Sequence, residues 1–168
     1  MFGLFRKKAK AKIEKKVVST IPGIGYDPEL IHQLSGEHQE LLNSFGKMAD
    51  AAEKQNWYQT QKHLSTFATE LRGHLLTENV KLYVCLSRNF SHDPETQQIA
   101  MEFRKDMMHI GRTVNQFVTR YEVAAWNSEM KEMFSSELAG IGEVLVKRID
   151  HEEQSLYPLY LPEEAYAR

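Results

Sequence analysis

Apolar residues recur every three to four positions through almost the whole chain, the spacing of helices that bury one side, and strand-like alternation is scarce. Four stripes can be traced. The first holds Leu30, Leu34, His38, Leu41, Phe45, Met48 and Ala52. The second holds Leu64, Phe67, Leu71, His74, Leu75, Glu78, Leu82 and Cys85. The third holds Phe103, Met107, Ile110, Val114, Phe117, Val118 and Tyr121. The fourth holds Met130, Phe134, Ile141, Val144, Leu145, Arg148, Glu152 and Leu159.

Gly and Pro mark the breaks. Pro22, Gly23, Gly25 and Pro28 separate a leader, residues 1–26, from the body, residues 27–161, with a short tail at 162–168. Asp27-Pro28 predicts a helix start, with Asp as N-cap and Pro in the first turn, and a first helix running to about Lys54. Asn56 caps a second helix that reaches about Arg88. A loop follows from Asn89 to Pro94, where Asp93-Pro94 repeats the starting device for a third helix ending near Val123. Ser128 is the expected cap of the fourth, which ends before Pro158 and Pro162. Four long helices joined by short connections predict an all-α, up-down-up-down four-helix bundle.

The polar members of the stripes are the informative ones, because an ionisable group aimed at a bundle core needs a partner or must neutralise. On a helical wheel His38 falls within about 30° of the apolar centre of its helix. Glu78 lies near the centre of the second stripe with His74 on its flank, and Arg148 and Glu152 bracket the centre of the fourth. His109 fails the same test, at roughly 140° from the apolar centre of its helix, where Met107 points inward instead. His151 and His63 are border residues; His32 and His92 read as surface positions. His74 and Glu78 stand four residues apart, as do Arg148 and Glu152. Each pair is followed by Leu and Tyr at matching distances: Leu82 and Tyr83, Leu156 and Tyr157. Residues four apart share a helix face, so the first pair offers an imidazole and a carboxylate to one point, and the second offers a guanidinium and a carboxylate. A single inward His is ordinarily a hydrogen-bonded core residue. Two with two carboxylates form a set suited to iron, manganese or zinc.

Charge changes the picture at the N-terminus. Of 21 basic and 23 acidic residues, seven basic and one acidic fall in residues 1–16, leaving an acidic body of 14 against 22. The net charge of −2 argues against a nucleic-acid partner. The leader, with Phe2, Leu4, Phe5, Ile13 and Val17 beside its lysines, is a candidate for peripheral membrane contact or for a protein partner. The single Cys85 forbids an internal disulfide, and no apolar run reaches the ~20 residues of a bilayer span, so a cytoplasmic location is expected. No Gly-rich phosphate loop and no Ser/His/Asp constellation is present; no catalytic residue is assigned and an enzyme is not expected.

SGEHQELL followed by ELRGHLLTENVKLYVCL resembles the first half of a hemerythrin-like (HHE) cation-binding domain, and GIGEVLVKRIDHEEQSLYPLY resembles its last helix. The resemblance covers about Asp27 to Leu161. It implies a four-helix bundle that usually holds a non-haem di-iron centre, with a His from the first helix, His-x-x-x-Glu from the second, a His from the third and His-x-x-x-Glu or similar from the fourth. Carried to this chain, the ligands are His38, His74, Glu78 and Glu152. Arg148 stands where the fourth-helix His is expected and Met107 where the third-helix His is expected. Arg stays protonated and cannot ligate, and a thioether suits iron poorly. His109 or His151 enters the set only if a helix is overwound or kinked. The resemblance therefore implies one iron, or another divalent metal, rather than two, with O2 or NO as the small diatomic ligand. Arg148 supplies the positive charge that a second ion would have carried. IGEVLVKRIDHEE also resembles the last helix of the Rsd/AlgQ sigma-factor regulators, which implies as alternative a metal-free interaction protein.

Overall fold

The computed structural model describes residues 25–90, 93–162 and 165. Helix α1 spans Leu30–Glu53 and α2 spans Trp57–Thr77. A π-helical turn, Glu78–Leu82, continues α2 into the short α3, Tyr83–Asn89. Helix α4 spans Pro94–Tyr121 and α5 spans Ser128–His151. A second π turn, Glu152–Leu156, and a 3-10 turn, Tyr157–Leu159, complete the last rod. With α2 and α3 taken as one interrupted rod, this is the expected four-helix bundle, and no strand occurs among the described residues. The basic leader lies outside the described residues, as does His92. No described helix is long and apolar enough to cross a membrane.

The starts follow local chemistry. Asn56 accepts from the Gln59 N–H, and Asp93 accepts from the Thr96 N–H with Pro94 in the first turn. At the fourth helix the cap is Asn127, whose side chain accepts from the Met130 N–H at 2.8 Å, and not Ser128. An Asn oxygen one position earlier reaches the unsatisfied first-turn N–H and leaves Ser128 as the first helical residue. Asp27 bonds the Glu29 N–H, and α1 begins two residues later than expected, at Leu30. Connections of a few residues force neighbouring rods to run antiparallel: α1 packs along α2, α4 along α5, α1 against α5, and α2 against α4.

The apolar interior is divided. One cluster runs from Leu41, Leu64 and Phe67 to Trp126, Phe134 and Ile149. The other gathers Leu30, Leu34, Leu82, Leu86, Leu156, Tyr157 and Tyr160. Between them along the rods lie the buried polar residues: His38 follows Leu34 and precedes Leu41, His74 and Glu78 stand between Leu71 and Leu82, and Arg148 and Glu152 stand between Leu145 and Leu156. Cys85 is buried in the second cluster, where its sulfur accepts from the Asn89 side-chain amide at 3.6 Å.

Candidate metal centre

All five inward polar residues are buried, Arg148 at 3 % exposure and Glu152 at 0 %. His109 and His151 are exposed, and the His151 ring lies tilted against Phe103, 4.5 Å between centroids. Neither joins the cluster, although a widened turn begins immediately after His151. Met107 is buried at the third-helix position.

The π turns set the geometry. Each begins at a carboxylate, Glu78 in one and Glu152 in the other, at matching points of the two sequence repeats. An i→i+5 turn widens the helix locally. The residues at its two ends, Glu78 with Leu82 and Glu152 with Leu156, are buried, while Asn79, Val80 and residues 153–155 between them are exposed.

The two imidazoles converge through Nε2. His38 Nε2 lies 3.2 Å from His74 Nε2 and 3.2 Å from Glu152 Oε2, and His74 Nε2 lies 3.6 Å from Glu78 Oε1. Donor atoms of His38, His74, Glu78 and Glu152 all fall within 4.8 Å of one another. Four ligands at about 2.1 Å around one ion stand about 3.4 Å apart, so the spacing suits a single centre. Outside this point each imidazole is held by a carboxylate that composition and spacing did not reveal. His38 Nδ1 bonds Glu153 Oε1 at 2.8 Å, and His74 Nδ1 bonds Glu37 Oε2 at 2.9 Å. An ionised carboxylate only accepts, which places the Nδ1 proton on both rings and turns two bare Nε2 lone pairs toward each other. That contact requires a proton or a cation between them.

The metal-free electrostatics agree. Burial opposes a charge on His38, but the hydrogen bonds to Glu152 and Glu153 outweigh it and the ring is pushed above its ordinary value. Burial, reinforced by His38 and Arg148, drives His74 down to about 3. One ring therefore carries the shared proton and the other receives it. The Tyr157 hydroxyl lies 3.1 Å from His38 Nε2, a contact that the spacing of the sequence did not reveal.

Arg148 closes the other side. Its Nη2 sits 2.5 Å from Glu78 Oε2 and 2.7 Å from Glu152 Oε1, while Nη1 donates to the Met107 carbonyl at 2.7 Å. Each carboxylate thus turns one oxygen to the guanidinium and the other to an imidazole. Room for this comes from Gly111: a Cβ there would stand 3.2 Å from Arg148 Nη1. Burial and the neighbouring Glu152 push Glu78 up to about 8, against the pull of Arg148. Of the two oxygens facing the imidazoles, Glu78 Oε1 makes no hydrogen bond among the described residues and Glu152 Oε2 has His38 Nε2 at 3.2 Å as its neighbour. Buried acceptors this short of donors fit a cation better than a self-sufficient polar layer.

The sequence pattern of the hemerythrin HHE cation-binding domain matches residues 29–160. Neither a curated protein nor a solved structure matches the chain.

Proposed function

The chain belongs to the hemerythrin HHE cation-binding family, and we propose that it holds one iron ion through His38, His74, Glu78 and Glu152. Arg148 takes the part of the second ion. The observation that carries this reading is the pair of Nε2 atoms 3.2 Å apart, each ring with its Nδ1 proton fixed by a carboxylate. A bound iron supplies Lewis-acid and redox chemistry and a place for O2 or NO. The protein's own residues do the rest. Glu153 and Glu37 orient the rings, Arg148 spans Glu78 and Glu152, and the two apolar clusters keep water from the layer. Loading displaces the proton held at His38 Nε2, so binding releases acid.

Metal quantified in protein expressed with added iron tests the reading. The expected result is about one ion per chain, lost in Glu78→Gln and Glu152→Gln. Two ions per chain would overturn the role given to Arg148. A folded chain that retains no metal after anaerobic loading would instead favour the metal-free, sigma-regulator-like interaction protein.

A further inference from the structure

A cleft of about 590 Å³ opens between α2 and α4 and ends on the side of Arg148 turned away from the imidazoles. Its size falls in the range of small-molecule sites, roughly 300–1,000 Å³. The walls are apolar and have no covering element: Leu76 is 63 % exposed and Met108 52 %. Gly111 contributes no side chain, so nothing from that position lies over the guanidinium edge. The floor is rich in donors that lack acceptors. Arg148 Nη1 gives one of its two hydrogens to Met107, and its second has no acceptor among the described residues. Tyr83 lines the cleft, is buried, and its hydroxyl has no hydrogen-bond partner among the described residues. Glu78, the one acid of the lining, is tied to Arg148 through Oε2. At the rim stands Arg112, a cation with no ion pair among the described residues.

From this arrangement we infer that the cleft binds a small organic carboxylate with an apolar body, its head on the Arg148 and Tyr83 donors beneath Arg112 and its tail along Leu76 and Met108. Donors without acceptors and an unpaired rim cation call for an anionic acceptor, and the apolar walls call for more than a bare anion. The chain's own leader is a poor occupant, since seven of its first 16 residues are basic and it would meet three arginines. The inference does not depend on the metal, because the head meets none of the atoms that face the imidazoles.

Octanoate is a suitable probe, read by the ε-methyl NMR signals of ¹³C-methionine protein. Met107 and Met108 line the cleft, while Met48 belongs to the cluster beyond the polar layer. Saturable shifts of Met107 and Met108, with Met48 unmoved, are expected for octanoate in both chelated and iron-loaded protein. Octanol and acetate should each bind about tenfold more weakly. Arg112→Glu and Tyr83→Phe should each weaken octanoate about fivefold. Tyr83→Phe should leave the thermal midpoint unchanged or higher, because the lost hydroxyl bonded nothing. Absence of shifts, equal binding of octanol, or wild-type affinity in both variants would overturn the site. Loss of metal binding with the shifts intact would overturn the metal reading alone.

Discussion

A guanidinium does not give up its proton in a folded protein, so Arg148 places a permanent positive charge between Glu78 and Glu152. Replacing it with imidazole removes that charge and offers a ligand. Arg148→His is expected to raise bound metal above the wild-type ratio, measured by elemental analysis after loading with excess iron; an unchanged ratio would count against its place in the layer. The carboxylates behind the rings act differently. Glu37 and Glu153 are 24 % and 38 % exposed, so they contribute little to the fold, yet each fixes a ring through Nδ1. Partners of this kind matter about 10–100-fold to metal affinity. Glu37→Gln and Glu153→Gln should each weaken binding within that range in a competition titration, with the metal-free thermal midpoint nearly unchanged. A large stability loss without an affinity loss would assign them a structural part instead.

At the scale of elements, the inward direction of His38, Glu78, Arg148 and Glu152 was legible, because apolar neighbours three and four residues away fix each face. His74, placed on a flank by the wheel, is as buried as the rest. What the regular 100° wheel does not contain is an i→i+5 turn, since nothing in ENVKL or EEQSL departs from helical composition. Glu37 and Glu153 escaped for a related reason: each sits beside an inward residue on the half-exposed border, where a wheel assigns solvent. Asn127 and Ser128 are both good caps, and only the backbone decides between them. The π turn is testable by itself. Deleting Val80, an exposed residue inside the first one, should let α2 and α3 join as a regular helix. Helical circular dichroism should persist while iron stoichiometry falls. Retained stoichiometry would show that the wider turn is not what positions Glu78.

For the whole molecule, the polar layer makes stability depend on pH. Glu78 rises in the metal-free fold from its ordinary 4.5 to about 8, so its contribution is complete below pH 4.5 and is lost as pH climbs through 8. His38, held above 6.5, has the same sign, and its contribution fades above that value. His74 falls to about 3, so its contribution is lost as pH drops from 6.5 toward 3. The terms oppose one another below about pH 6.5 and reinforce one another above it. Urea denaturation of chelated protein should show a level maximum between about pH 4.5 and 6.5, where the Glu78 and His74 terms cancel, and a decline from there to pH 8. Iron should remove that decline by taking the place of the protons; a flat metal-free profile would contradict the assigned protonation. The divided interior has an optical corollary. Trp126 belongs to the first apolar cluster and Trp57 packs against it, ring to ring with Trp126, while the second cluster holds tyrosines and no indole. Tryptophan emission therefore watches one half of the bundle, and a melt followed by that colour alone records the end remote from Leu30 and Tyr160 while the other end loosens unseen.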